Sequence, residues 1–427
     1  MKIALFTVGC KVNQYETEAI AEKLETFGFD RVDFSNQADI YIINTCTVTK
    51  ESDYSSRQAI YRAKRRSPDA KIIVTGCYAQ LEKEFLESLP GVTMVIKQES
   101  KGNLASLVAS MFGQAAATET ERKADRLLSF GVKGLAKHTR ALVKIQDGCE
   151  KNCAYCVVPF ARGKERSREI NEIISEINVL VENGYKEIVL TGVHIGRYNN
   201  KGIDLMTLSE QILKNTKVER IRYSSIDPKE FSDRLFNLVI RSDKICKHLH
   251  IPLQSGDNEI LSRMKRDYST EEYRRLVDNL SQTIPDVLIG ADVIVGFPSE
   301  TDQQFENTCK LILSSPINYL HVFSYSDRKG TEASSMPNKI PPEVIHQRSE
   351  ILHSLGKEKW NRYLDRFIGK KLSVLIENRR DRKTGKLTGL SDNYIRVLLD
   401  GDDSLKNKIL SVNITLRDEN KLIGKPI

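Results

Sequence analysis

The chain has 427 residues and a formal charge of +8, with 40% of its residues hydrophobic, a size and composition that predict two to three packed domains. No stretch approaches the ~18 apolar residues of a membrane-spanning helix, which excludes a helical membrane protein. The apolar run in MKIALFTVGC is too short for a secretory signal and reads as a first strand. A cytoplasmic setting is expected, where thiols stay reduced and clustered cysteines imply metal binding.

Three strand-like runs come first. IALFTVG ends at Cys10, DIYIINT at Cys46 and KIIVTG at Cys77. Each is rich in β-branched and aliphatic residues, as buried strands are. Helical patterns alternate with them, so an α/β unit with a parallel sheet is predicted over residues 1–112. Ligands of such sheets gather beyond the carboxyl ends of the strands. Cys10, Cys46 and Cys77 should therefore converge at one edge as a three-cysteine metal site. Three ordinary core cysteines are the alternative. Arg57, Arg62, Lys64, Arg65 and Arg66 fall on a helix between Cys46 and Cys77 and read either as a phosphate contact or as a solvated helix face.

Residues 113–140 are small, polar and charged and read as a linker. Next comes GCEKNCAYC, with Cys149, Cys153 and Cys156 at CxxxCxxC spacing. Three thiolates so spaced fit one face of a cubane iron–sulfur cluster and leave one iron open, whereas a cluster that only carries electrons is normally held by four cysteines. Structural zinc, with His138 as a fourth ligand, is the competing reading.

Strand and helix alternation resumes at residue 141. Six candidate strands, ALVKIQ, EIVLTGV, ERIRYSSI, HLHIPLQ, VLIGADVIVGF and YLHVFSYS, predict a partial (βα)6 barrel over 141–365, with its chemistry at the strand C-termini. Gly192, Ser224, Ser225, Asp292, Gly296 and Phe297 stand at or near such ends. They are candidate cofactor contacts, the last three suited to cradling adenine. Cys246 and Cys309 read as structural. Residues 366–427 alternate strand-like segments with turns and predict a small all-β barrel. It carries 14 lysines and arginines against 8 acids, which suggests a polyanion partner, most plausibly RNA.

CxxxCxxC in a partial barrel, with Tyr155 just before the third cysteine, resembles the radical S-adenosylmethionine superfamily. The wider chain resembles the methylthiotransferase family from end to end, at GCKVNQYE, NTCTVT, TGCYAQ, KIQDGCEKNCAYC, VPFARGKERSR, HIPLQSG, MKRDY, VIVGFPSET and HVFSYSDRKGTEASSMP. The resemblance implies two [4Fe–4S] clusters, an auxiliary one on Cys10, Cys46 and Cys77 and a radical-generating one on Cys149, Cys153 and Cys156. It implies S-adenosylmethionine as methyl donor and radical source, with contacts that include Tyr155. It further implies a C-terminal RNA-binding TRAM domain and an electron donor such as flavodoxin or ferredoxin. The runs KVNQYET and HTRALVKIQDGC look like the branch that modifies N6-threonylcarbamoyladenosine at tRNA position 37. The other branches act on isopentenyl-type adenosine at the same position or on a ribosomal-protein aspartate. On this reading Arg162, Lys164, Arg166 and Arg168 are expected to grip anticodon-loop phosphates.

Overall fold

The computed structural model describes residues 1–113 and 138–427, so the expected linker lies outside the described residues apart from its ends. The N-terminal unit is a five-stranded sheet of β1 (Lys2–Thr7), β2 (Asp30–Val32), β3 (Ile40–Thr45), β4 (Lys71–Gly76) and β5 (Val92–Ile96). Its spatial order is β2-β1-β3-β4-β5, every pairing parallel. All of β3 is buried, because helices cover both faces of this central strand. Helix α1 (Lys11–Thr26) packs Ile20 and Leu24 against one face, and α2 (Lys50–Arg66) packs Ala59, Ile60 and Ala63 against the other. Fully burying each isoleucine or leucine there contributes roughly 1.5–3 kcal/mol. The strand order reverses between β1 and β3, the crevice where open α/β sheets bind ligands. Cys10 follows the end of β1 and Cys46 follows β3 directly, so both border that crevice.

The central unit has six parallel strands: β6 (Arg140–Lys144), β7 (Glu187–Thr191), β8 (Arg220–Tyr223), β9 (His248–His250), β10 (Leu288–Val295) and β11 (Tyr319–Ser324). They form two three-stranded sheets, β6-β7-β8 and β9-β10-β11. The bridge Ile221↔Ile245 joins the two. Among the described residues β6 and β11 do not pair, so the barrel is open along that side. Ala141, Val143, Ile188 and Leu190 face the core shared with the flanking helices. The alternating Leu142 and Val189 face the other way and meet Tyr15 and Ala19 of α1. The first helix of the N-terminal unit thus lies against the inner face of the barrel.

The last five strands, β12 (Lys371–Arg380), β13 (Leu387–Ser391), β14 (Arg396–Leu399), β15 (Ile409–Asp418) and β16 (Lys421–Pro426), close into a small barrel in the order β12-β13-β14-β16-β15. Tyr363, Leu364 and Phe367, at the end of the long helix Pro342–Asp365, complete its core together with Leu288. This barrel docks on the N-terminal ends of the radical-barrel strands. Tyr394 stacks on His248 with ring centroids 4.3 Å apart, and Arg222 donates to the carbonyls of Asp392 and Ser391 at 3.0 and 3.1 Å. Among the described residues, no helix is long and apolar enough to cross a membrane.

Candidate iron–sulfur centres and reaction cavity

The CxxxCxxC loop begins where β6 ends. Gln146–Asp147 pairs antiparallel with Arg166–Ser167, which pinches the loop at its base. Gly148 turns the chain at φ +74°, and a Cβ there would lie 1.9 Å from the Lys164 carbonyl oxygen, so this position demands glycine. Cys149 N–H donates to Gly163 O at 3.1 Å, and Cys156 N–H to Cys153 O at 3.0 Å. Val158 N–H donates to Cys156 Sγ at 3.5 Å, and Arg266 Nη1 donates to Cys153 Sγ at 3.3 Å. Cys149 Sγ lies 3.8 Å from His194 Nδ1, whose Nε2 is 2.7 Å from Glu230 Oε2. Burial works against a proton on His194, but Cys149 and Glu230 outweigh it and raise the imidazole to about 9. Each sulfur therefore has a polar neighbour suited to a thiolate, the kind of outer partner that orients metal ligands.

Burial pushes the Cys156 thiol up to about 12; the Val158 N–H opposes the rise and the neighbouring Cys153 and Cys149 add to it. Three thiolates so placed repel one another unless a cation neutralises them, which suits a metal cluster. No other cysteine supplies a fourth ligand. Cys246 is buried beside Arg222 and Glu187, and Cys309 lies on the helix Asp302–Ser314. His138 lines a cleft with Arg140 and Arg379 at the far end of β6, so it does not complete a zinc site with the loop.

The second cysteine set forms at the sheet edge. Cys46 and Cys77 are buried and Cys10 is exposed. Burial raises Cys46 to about 11, with Cys77 and Cys10 adding to the shift, and burial also raises Cys77. The three thiols thus feel one another although the sequence separates them. Gly9 makes the approach possible, since a Cβ there would lie 2.6 Å from Cys46 Cβ.

A buried charge network ties the two sets together. Arg162, on the short helix Val158–Arg162 after the cysteine loop, donates to Glu16 Oε1 and Asp147 Oδ1, both at 2.9 Å, and to Asn13 Oδ1 at 2.6 Å. Lys144 bonds the same Glu16 at 2.8 Å. A cavity of about 210 Å³ lies alongside. Val48 and Thr49, just past Cys46, form one wall; Tyr155, Gln254, Asp292 and Phe323 form the other. His250 Nε2 and His321 Nδ1 lie 2.8 and 3.3 Å from Asp292 Oδ1. Burial alone would raise the Asp292 carboxyl, but these two histidines hold it well below the usual carboxylate range.

Several expected contacts take other roles. Arg162 and Arg168 do not reach RNA: both are buried, and Arg168 donates to Glu176 at 2.6 Å. Buried guanidiniums need carboxylate partners, and these have found theirs within the protein. Lys164 is exposed and Arg166 half-buried. Phe297 is not open to adenine, because it is fully buried against Ala154, Ile260, Met264 and Ala333. Gly296 turns the chain beneath Ile345, 2.3 Å from where its Cβ would be, so the space a ligand would take is filled. Gly192 does allow a close approach, but to the Gln146 carbonyl. Ser224 and Ser225 lie just past the end of β8 at Tyr223, half-buried and exposed. On α2, Arg57 donates to the Tyr78 hydroxyl at 3.0 Å, and Arg62 lies over the Phe6 and Phe34 rings. Lys64 bonds the Pro68 carbonyl, Arg66 covers Phe34 and Arg65 is exposed, so most of that cationic run packs on the domain itself. Sequence reasoning misses His194, Gln254, His250, His321 and Arg266. The segments HIPLQSG and MKRDY contain the signal for three of them.

Comparison with known proteins agrees with this geometry. The radical SAM superfamily matches residues 143–312, and the family described as uncharacterized protein family UPF0004 matches residues 2–97. A protein of Aquifex aeolicus named threonylcarbamoyladenosine tRNA methylthiotransferase MtaB is 38% identical over 413 residues, covering 94% of this chain and 97% of its own. The chain belongs to the radical S-adenosylmethionine methylthiotransferase family. A Bacillus subtilis member with the same name is also 38% identical, over 96% of this chain and 93% of its own. A tRNA-2-methylthio-N(6)-dimethylallyladenosine synthase of Cereibacter sphaeroides is 33% identical over all of this chain and 98% of its own. The fold is shared with the radical S-adenosylmethionine methyltransferase TsrM from Kitasatospora setae, at a TM-score of 0.53 and 15% identity over 75% of this chain and 72% of that one. Radical enzymes of this kind bind S-adenosylmethionine at a [4Fe–4S] cluster with an open iron, and a three-cysteine loop without a fourth ligand fits that requirement.

Proposed function

We propose that the protein transfers a methylthio group to carbon 2 of the adenine in N6-threonylcarbamoyladenosine at position 37 of tRNA. One observation carries the reading: a single cavity is bordered both by Val48 and Thr49, beside the Cys10–Cys46–Cys77 set, and by Tyr155 of the CxxxCxxC loop. A radical source and a sulfur source must both reach one substrate carbon. The relatives named for threonylcarbamoyladenosine are 35–38% identical, against 32–33% for those named for the dimethylallyl nucleoside.

When bound, a [4Fe–4S] cluster at Cys149, Cys153 and Cys156 supplies the electron that splits S-adenosylmethionine, and a second cluster at Cys10, Cys46 and Cys77 supplies sulfur. Overall, one S-adenosylmethionine donates the methyl group, and a second ends as methionine and 5′-deoxyadenosine. The carbon 2 hydrogen leaves on the deoxyadenosine as the carbon–sulfur bond forms.

The chain's own residues hold and shield these groups. Arg266 and His194 orient the sulfurs of Cys153 and Cys149. Tyr155, Ile294 and Phe323 exclude water from the cavity. Asp292, fixed by His250 and His321, offers an anionic acceptor to the ribose hydroxyls or amine of a bound adenosine. The small basic barrel acts as the TRAM module, and with Lys164 and Arg166 it grips anticodon-loop phosphates. Position 37 must leave its stack to enter. A one-electron carrier of the flavodoxin or ferredoxin class reduces the radical cluster, and the activity belongs to the cytoplasm. Mass spectrometry of tRNA nucleosides from cells lacking the gene tests the proposal. Loss of the methylthio-threonylcarbamoyl nucleoside supports it, and an unchanged pool refutes it.

A further inference from the structure

A second cavity, about 610 Å³, opens between α1, the start of β6 and the basic C-terminal barrel. Lys11, Arg140 and Tyr394 line it together with Arg379, Arg382 and Arg396 of the C-terminal barrel, where Glu377 and Asp381 supply the opposite charge. Around Lys11 and Tyr394, cations outnumber carboxylates. The Arg140 and Arg222 guanidiniums lie 5.8 and 5.1 Å from the Tyr394 ring. Glu187 is the carboxylate that serves both, 2.7 Å from Arg222 Nε and 4.0 Å from Arg140 Nη1. Lys11 adds a third cation, lining the same cavity as Arg140 and Tyr394. Among the described residues Lys11 makes no ion pair or hydrogen bond. Crowding three cations around one carboxylate and one phenol costs free energy unless an anion joins them.

Lys11 directly follows Cys10 in the chain, and their Cα atoms are about 3.8 Å apart. An anion bound at Lys11 therefore sits close to the proposed sulfur-donating centre. The proposed substrate has one anion on the base itself, the free carboxylate of its threonylcarbamoyl arm. That arm leaves the adenine at N6, on the same edge as carbon 2 and separated from it by ring nitrogen N1, and a dimethylallyl arm carries no charge. We infer that Lys11, backed by Arg140, binds the carboxylate of the threonylcarbamoyl arm and so selects the charged arm over an apolar one. This rests on the substrate reading above. A backbone phosphate of a neighbouring nucleotide offers similar chemistry, and the test separates the two.

The experiment uses the full chain with its iron–sulfur clusters reconstituted anaerobically. Its substrates are anticodon stem-loop RNAs carrying threonylcarbamoyladenosine or its methyl ester, which removes the charge and leaves every phosphate in place. The wild-type enzyme should show a KM about tenfold to a hundredfold higher for the ester. Lys11→Met should raise KM for the acid by a similar factor and erase the difference between acid and ester, and Lys11→Arg should preserve that difference. Iron content of each variant shows whether its clusters are intact. If Lys11→Met loses iron, the wild-type acid-to-ester ratio and Arg140→Met decide. Equal KM values for acid and ester in the wild type, or an equal loss for both substrates in Lys11→Met as a phosphate contact gives, would overturn the inference. If the wild type modified neither RNA, the substrate reading itself would fail.

Discussion

Arg162 and Glu16 stand 146 positions apart in sequence and meet at 2.9 Å with both side chains almost wholly buried. Arg162 closes the CxxxCxxC loop, and Glu16 lies on the helix that starts beside Cys10. The pair is therefore a strut between the two cysteine sets. Removing one partner unbalances a buried network: among the described residues, without Arg162, Glu16 faces only the cations of Lys101 and Lys144, and without Glu16, Arg162 keeps only the carboxylate of Asp147. Arg162→Met or Glu16→Gln should each destabilise the protein by about 3–5 kcal/mol in urea unfolding. The double variant should cost less than the sum of the two.

Gly148→Ala should damage the radical-cluster loop selectively. Its positive φ alone costs about 1–3 kcal/mol for a residue with a side chain, and the Lys164 carbonyl leaves no room for a methyl group. Reconstituted variant should hold fewer irons per chain and release less 5′-deoxyadenosine from S-adenosylmethionine, with the far-ultraviolet circular dichroism unchanged.

Two separate three-cysteine sets predict an additive iron count. Wild type should bind roughly eight irons per chain, and the Cys10→Ala, Cys46→Ala, Cys77→Ala triple variant roughly four. That variant should still cleave S-adenosylmethionine reductively while forming no methylthio product. Full iron retention in the triple variant would contradict the second site.

His248 predicts a pH dependence of stability. Burial first, then Arg222 and His250, with Lys11 and Arg140 also facing it, hold its pKa well below the ordinary 6.5. The unfolded chain takes up a proton near pH 6.5 that the folded chain refuses, so acid favours unfolding. Its contribution should be fully present above about pH 6.5 and fall away below it. His248→Gln should flatten the pH dependence of the urea midpoint between about pH 5 and 6.5.

Lys164 and Arg166 should contribute to RNA affinity through charge. Replacing either with alanine should weaken tRNA binding across sequences and reduce the slope of log K against log salt by about 0.7 for each phosphate no longer neutralised. Arg168→Ala should instead lower stability, because its partner Glu176 would be left buried without its guanidinium.

The strands and the six cysteines are legible in the sequence because their signals are local. Unbroken apolar runs such as IYIINT mark central parallel strands, and a cysteine just past each run sits at the sheet edge by topology alone. The arginines mislead for the opposite reason. ARGKERSR has the composition of a phosphate-binding segment, and nothing in it reveals that Glu16 and Glu176 wait to neutralise Arg162 and Arg168. Glu16 comes from a distant part of the chain, and Glu176 reaches back from two turns into the helix that follows. Phe297 misleads because the end of a barrel strand faces either the mouth or the surrounding shell, and a single turn at Gly296 decides which. Lys11 and Tyr394 escape notice because each acquires its meaning only where three separate units touch.

Tyr394 belongs to the module at the chain's end, yet its ring stacks on His248 at the first residue of a strand of the central barrel. The appendage proposed to hold nucleic acid is thus also masonry of the central barrel's base. Grafting that appendage from a cousin would exchange the barrel's base together with the handle, so the seam at His248 and Arg222 would have to be matched as well.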